Sequence, residues 1–457
     1  MASDLHDSPQ DDQAASPAPR SRPPLGHDLD VDVCVIGAGV AGLTAAREAA
    51  RLGASVALLE SREVGGGASA HHLGTILPGF RLSASDLIAR VGIADARGIW
   101  ALSREGVDYV RAAAAEAQVP VTPAGLLEAS NVDIGDQLIG QLQLLGGEFG
   151  LDVEGWQVER VRASLGTGRY FHGIHFPSSF QVDARQYLDG LAALAEQAGA
   201  RIFQETPLVA LDASGIRKRI TTPLAKLRAD HVVLATGASP GDAMQRLAST
   251  LLPVWRYGAV TAPLGERLAE TVRFKGAVID SDGVDHFRIV EGDRLMWSSP
   301  ETTWAARPEQ MAGAIRRRIR TVLPALGPVA IAETFGAAVG ETVHGMPQVG
   351  ALRPGLWIAG GFGRHGLANA SMAGQLIARS MLLGDDRARL FAPFELVWAG
   401  GNTGRAVGYL VSLWSRRSAA VAGAFARSRE RARARTQARE ARRLAANARV
   451  RPTSPPE

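Results

Sequence analysis

The residues best placed to do chemistry stand near the start of the chain. Gly37, Gly39 and Gly42 fall in the spacing Gly-x-Gly-x-x-Gly, directly after the apolar run Val33-Cys34-Val35-Ile36 and before a helical run ending near Leu52. Gly37 permits a tight turn, Gly39 lets backbone N–H groups approach a pyrophosphate, and Gly42 lets the helix close on the strand. The N-terminus of that helix, at Val40 and Ala41, offers N–H donors and the positive end of the helix dipole to phosphate. Val56-Ala57-Leu58-Leu59 reads as a second strand. It ends on Glu60 and Ser61, where the Glu60 carboxylate can accept hydrogen bonds from a ribose. Glycine spacing alone is a weak signal, but strand, helix, strand and terminal acid together specify a dinucleotide site.

The elements that must hold this unit are scattered along the chain. A glycine-rich loop, Gly65 to Gly74, carries Ala68, Ser69, His71 and His72. Residues 83 to 118 read as helices, and 119 to 180 as short antiparallel runs broken by Pro and Gly. A helix follows from about Val182 to Gly199, then strands at 201–206 and 208–211, the latter carrying Val209. Another buried strand ends in Ala235-Thr236-Gly237. Between Trp255 and Trp304, β-like runs alternate with turns, Arg288 among them, before a basic amphipathic helix at about 308–323. Leu356-Trp357-Ile358-Ala359 is a further buried strand; Gly361, Gly363, Arg364, His365 and Gly366 lead from it into a helix from Leu367 to Leu383. Nucleotide-binding signals near both ends and in the middle of the body require a discontinuous domain with a second domain inserted twice.

Composition narrows the class. A chain of 457 residues, 46% hydrophobic and 21% charged, supports two globular domains. A single cysteine excludes a disulfide framework or a multi-cysteine metal site and suits a reducing cytoplasm. Cys34 itself reads as a small buried hydrophobe. Residues 1–30 are polar and rich in Pro and Ser, with no apolar core segment, and read as a disordered arm. The net charge of +4 is unevenly spread: from Arg416 onward twelve arginines face three acids, so that tail is +9 and the rest of the chain −5. Within the tail, Val407, Leu410, Val411, Trp414, Val421 and Phe425 recur at helical spacing among arginines. That pattern fits a helix lying in an anionic membrane surface on the inner face, or one docked on the body or in a dimer and followed by a solvated arginine-rich helix from Arg427 to Arg449. No aromatic-interleaved groove accompanies it, so nucleic acid is not expected as a partner.

Assembled, these motifs resemble the FAD-dependent amine and amino-acid oxidoreductases of the D-amino-acid oxidase superfamily, in particular the branch of glycine, sarcosine and γ-glutamylputrescine oxidases. The opening unit looks like the ADP-binding half of an FAD site. Gly66-Gly67-Ala68-Ser69 is similar to the loop that lies near pyrophosphate and flavin. The strand ending Ala235-Thr236-Gly237, and Gly345-Met346-Pro347-Gln348-Val349-Gly350 with Leu356 to Leu367, are similar to later segments of the same site. The resemblance implies an α/β fold: a discontinuous Rossmann-like FAD-binding domain with an inserted antiparallel-sheet (α+β) substrate domain. On that reading residues 31–90, 181–250 and 335–395 bind FAD, 91–180 and 251–334 form the substrate domain, and 396–457 is a basic helical extension. It makes Gly37, Gly39, Val40, Ala41, Gly42, Glu60, Ser61, Ala68, Ser69, His71, His72, Val209, Ala235, Thr236, Gly237, Gly361, Gly363, Arg364, His365, Gly366 and Leu367 cofactor-binding, with no metal.

Two departures matter. His71 stands where dimethylglycine and sarcosine dehydrogenases carry FAD on a histidine, which leaves covalent attachment and simple packing on the flavin as its two roles. The arginine that commonly holds a substrate carboxylate is replaced by Val339, with Phe335 where a tryptophan is usual, so Arg288 or Arg364 must substitute or the substrate lacks a carboxylate. His344 stands where relatives often carry an acid. Tyr257, Trp297 and Trp304 could wall an aromatic cage for an alkylammonium group. Asp285 and His286, adjacent on a strand, face opposite ways and form no dyad. The implied activity is oxidation of the C–N bond of a small amine or amino acid by hydride transfer to flavin N5, giving an imine that hydrolyses. His72, Arg288 and His365 act at the substrate, and the electron acceptor is oxygen or a quinone or protein carrier. The alternatives are a 2-hydroxy-acid or alcohol-oxidising member of the superfamily and a non-catalytic flavoprotein subunit working through its basic tail.

Overall fold

The computed structural model describes residues 22–238, 245–281 and 283–401, together with 403–408 and single positions beyond. The first sheet has eight strands. Its main path runs Ala210–Asp212, Lys218–Thr221, Lys226–Leu234, Leu29–Ile36, Val56–Leu59, Arg201–Phe203, with Leu356–Gly360 joining Lys226–Leu234 in parallel and Gln348–Arg353 joining Leu356–Gly360. Leu29–Ile36 is parallel to both neighbours. Val33, Cys34 and Val35 are wholly buried, as a strand covered on both faces must be. Helices Val40–Arg51, Ala184–Gln197 and Gly366–Leu383 pack on one face, and the long helix Ala84–Glu116, broken at Gly92 with φ +79°, packs against them in the same core.

The second sheet is also eight-stranded, in the order Ile331–Glu341, Leu252–Thr261, Arg294–Thr302, His286–Val290, Ala277–Asp280, Leu126–Ala129, Gly173–Phe176, Glu154–Trp156. One face is closed by helix Pro308–Val322: Phe287, Leu295 and Trp297 meet Ile315, Ile319 and Val322 there, and Phe287 stacks on Trp297 with ring centroids 4.3 Å apart. Alternation turns His286 and Arg288 to the opposite face. There they meet a three-stranded ribbon of Thr75–Ile76, Phe180–Val182 and Val121–Thr122, with His286 Nε2 2.9 Å from Thr75 Oγ1 and Arg288 donating to Val182 O at 3.2 Å.

The chain forms the expected α/β fold, a Rossmann-like sheet beside a second, mostly antiparallel sheet, and three elements lie otherwise than expected. The polar N-terminal arm is ordered from residue 22: Arg22 pairs with Glu196, and Leu25 is buried with its N–H on Thr206 Oγ1. One buried leucine, one ion pair and one backbone hydrogen bond dock this polar stretch, which composition hides. The helix Ala84–Glu116, most of it assigned to the substrate domain, buries Ile99, Leu102 and Val110 in the core of the nucleotide-binding domain. Strand Ile331–Glu341, placed largely with the nucleotide-binding domain, pairs along its length with Leu252–Thr261 in the second sheet. The tail beyond 410 and the arm before 22 lie outside the described residues, four single positions of the tail apart.

Candidate active site

One cavity of about 550 Å³ runs between the sheets. Its floor is the turn after Leu29–Ile36. Gly37 adopts φ +106°, and a Cβ on it would stand 2.5 Å from Ala235 O, so the two strand ends touch backbone to backbone. Gly42 does not line the cavity. A Cβ there would stand 1.9 Å from Gly37 O, which gives this glycine the packing role that its spacing predicts. Helix Val40–Arg51 has Gly39 as N-cap and no side-chain cap, leaving its first N–H groups facing the cavity, Val40 N–H with Ser69 Oγ 3.3 Å away. Glu60 Oε2 accepts from Ala38 N–H at 2.8 Å and Oε1 from Arg62 N–H at 3.0 Å, which aims the carboxylate along the cavity wall.

Of the residues expected at the cofactor, Gly37, Gly39, Val40, Ala41, Glu60, Ser61, Ala68, Ser69, His71, His72, Ala235, Thr236, Gly237, Gly361, Gly363, Gly366 and Leu367 line this one space. Val209 does not. It is exposed, and its N–H goes to Thr221 O at the edge of the sheet; Thr206, Pro207 and Leu208 take the wall position instead, because the strand starts only at Ala210. The side chain of Arg364 lies outside the described residues.

Of the three residues expected to act on substrate, only His72 reaches the cavity. Its Nδ1 accepts from Gly74 N–H at 2.9 Å, so the neutral ring carries its proton on Nε2. Its Cδ2 edge lies 3.9 Å from where a Cβ on Gly366 would stand, at the N-terminus of Gly366–Leu383. His365 lies behind this wall as that helix's N-cap, its Nε2 4.0 Å from a Cβ position on Gly79, beside Trp100. Arg288 also stands outside, behind Gly74. Its guanidinium is 3.2 Å from a Cβ position on that glycine, and burial pushes its pKa down against the pull of Asp183. Among the described residues its Nε has no hydrogen-bond partner.

The aromatic cage does not form. Trp297 is in the helix-side core with its N–H on Asp285, Tyr257 is buried with its hydroxyl accepting from Ala306 N–H, and Trp304 is at the surface. His286 and Asp285 do point apart, Asp285 pairing with Arg318 at 2.6 Å. Val339 forms part of the cavity wall and Phe335 lies 6.5 Å, ring to ring, from His71. His344 packs on Phe394, and burial pushes its pKa down.

Sequence reasoning missed Trp255 and Arg62 as cavity wall, and of the wall segment 336–340 it picked out only Val339. It also missed Glu341, a buried carboxylate whose Oε1 is 4.0 Å from a Cβ position on Gly363. Arg256 holds Glu341 at 2.6 Å and Arg81 holds it at 2.5 Å; Arg256 also meets Glu301 at 3.1 Å. Burial acts to lower the Arg256 pKa, and the two carboxylates more than offset it. The residues fit a dinucleotide: an acid for a ribose, an uncapped helix N-terminus over glycines for phosphates, and a second helix N-terminus beside His72 for a ring bearing partial negative charge.

Comparison with known proteins agrees. The family model described as FAD dependent oxidoreductase (DAO) matches residues 32–380. A probable oxidoreductase, OrdL, of Haemophilus influenzae is 28% identical over 81% of this chain and 87% of its own. The gamma-glutamylputrescine oxidoreductase of Escherichia coli is 24% identical over 83% of this chain and 90% of its own. Among solved structures, glycine oxidase from Geobacillus kaustophilus superposes with a TM-score of 0.64 at 21% identity, covering 80% of this chain and 98% of that one, a likeness of fold.

Proposed function

Because the chain belongs to the DAO family of FAD dependent oxidoreductases, we propose that it oxidises the C–N bond of a small amine or amino acid, with FAD in the cavity accepting hydride at N5 from the carbon bonded to nitrogen. The observation that carries this reading is one continuous cavity from Glu60, past the N-terminus of Val40–Arg51, to His72 and the N-terminus of Gly366–Leu383. Relatives named for gamma-glutamylputrescine and glycine supply the two substrate classes.

The chain's own residues position and polarise. The N-terminus of Gly366–Leu383 places a positive dipole end where negative charge grows on reduction. His72 is fixed by Gly74 N–H, and Gly74 O in turn accepts from Val182 N–H at 2.9 Å, so the ring presents Nε2–H rather than a lone pair. It acts as a donor in the cavity. A substrate that binds with neutral nitrogen needs no protein base, and the imine hydrolyses to a carbonyl compound with ammonia or a smaller amine. Arg288, behind Gly74, donates to Val182 O and holds the segment that orients His72; its charge also favours an anionic group on the substrate side. His71 is exposed at the cavity rim, its Nδ1 3.0 Å from Gly67 O, which suits packing on the cofactor. The test is turnover of the FAD-loaded protein with amines, amino acids and 2-hydroxy acids, the carbonyl product trapped as a hydrazone. Product from an amine or amino acid, lowered in His72→Ala with FAD retained, supports the reading. Product from hydroxy acids alone refutes it.

A further inference from the structure

After Phe394, which is buried, the chain crosses as a strap the end of the second sheet where Leu252–Thr261 begins and Arg294–Thr302 finishes. Ala399 N–H donates to Ser249 O at 2.7 Å, Thr303 Oγ1 donates to Arg405 O at 3.0 Å, and a Cβ on Gly408 would stand 3.1 Å from Leu252. The strap is held through its backbone while its large side chains turn outward. Leu396, Val397, Trp398, Val407 and Leu410 are all exposed, Trp398 at 66%. Trp304, next to the anchor Thr303, and Val343, next to the His344 that packs on Phe394, are exposed as well. Single exposed apolar residues are ordinary. Seven that lie in one strap or next to residues that anchor it are a concentration of the kind that marks contact surfaces.

We propose that this patch seats on an anionic lipid bilayer. Charge selects the occupant: the chain from Arg416 onward carries +9 while the body carries −5, so the positive charge follows directly on the patch. The tail's charge is a property of its sequence and does not depend on its conformation. A bilayer with anionic headgroups accepts the aliphatic side chains, gives the two tryptophans the half-wet setting they favour, and attracts the arginines. A second copy of the chain would bring two +9 tails together. A nucleic acid would satisfy the arginines and leave the leucines and valines in water. No helix among the described residues is long and apolar enough to cross a membrane.

The experiment is flotation of the FAD-loaded full chain with vesicles of phosphatidylcholine alone and of an equimolar phosphatidylcholine–phosphatidylglycerol mixture, with sizing by light scattering. Binding is expected on the mixed vesicles only, and to be lost at about 1 M salt, where screening extends only about 3 Å. Trp398→Ser with Leu410→Ser, both exposed sites, lowers partitioning about tenfold or more, and so does Arg427→Gln with Arg429→Gln. Equal binding to neutral vesicles, no binding to either, a dimer that the serine variants dissociate in place of vesicle binding, or oligonucleotide binding indifferent to the serine variants in its place would each overturn it. FAD absorbance and turnover without vesicles are expected to be unchanged in the serine variants, which separates this inference from the proposed activity.

Discussion

Replacing Gly42 with alanine puts a methyl carbon 1.9 Å from Gly37 O, where Cβ contacts essentially never fall below 3.0 Å. The obstacle is a backbone oxygen and cannot rotate away, so the helix Val40–Arg51 or the turn beneath it must shift by about 1 Å. The helix cannot retreat freely. On its other side a Cβ on Gly374 of Gly366–Leu383 would already stand 2.6 Å from Ala41 O, so the two helices are in backbone contact. Overpacking against two fixed walls belongs at the upper end of the usual range, about 3 kcal/mol of stability. The same shift misplaces the N–H groups meant for phosphate; losing one hydrogen bond to a charged group costs about 1.5–3 kcal/mol, or roughly ten- to a hundredfold in affinity. The assay is denaturant unfolding of the apoprotein together with fluorescence titration by FAD. Gly53→Ala is the control: its φ is +91° but nothing lies within 4 Å of its Cβ position, so it costs about 1 kcal/mol and leaves FAD affinity alone. A Gly42→Ala protein as stable and as tight for FAD as the parent would refute the packing role and the helix-terminus account of phosphate binding.

Three further outcomes follow from the structure. Glu60→Gln removes the charge expected to hold the ribose hydroxyls and should weaken FAD roughly ten- to a hundredfold by titration, with the fold unchanged by circular dichroism. Cys34 is wholly buried, and burial pushes its thiol up to about 12 from an ordinary 9.0. The native protein should therefore resist a thiol reagent at neutral pH and take up one equivalent on unfolding. Because the folded-state pKa is the raised one, the stability linked to this thiol is full below pH 9 and falls as pH rises from there toward 12, visible as a declining denaturation midpoint. Asp285→Ala strips Arg318 of its 2.6 Å partner on the helix side of the second sheet, leaving Asp280 at 3.9 Å, and should cost about 3 kcal/mol in urea, while FAD affinity stays within twofold or so, since neither residue lines the cavity.

The turn from Gly37 to Gly42 and the acid at Glu60 were legible because their roles are local: a few consecutive residues carry turn, helix start and strand end. The two-sheet plan was legible because glycine turns and apolar runs recur in order. What stayed hidden depends on pairing between distant strands. Trp297 looked free to face a ligand, yet its stacking on Phe287 is set by the register of Arg294–Thr302 against His286–Val290. Glu341 was unremarkable in sequence, because Arg81 and Arg256 come to it from 260 and 85 positions away. Val209 missed by a single residue: the strand expected at 208–211 begins only at Ala210. Leu25 could not be picked out of a polar arm whose docking depends on Thr206.

The most direct measurement is the anaerobic absorbance spectrum of the purified protein loaded with FAD, recorded before and after addition of single amines, amino acids and 2-hydroxy acids. The account predicts an oxidised-flavin spectrum that bleaches with an amine or amino acid. It also predicts that acid precipitation will release the yellow colour into solution, as packing by His71 requires. A protein that stays colourless with FAD, or a bound flavin that only hydroxy acids reduce, would contradict it.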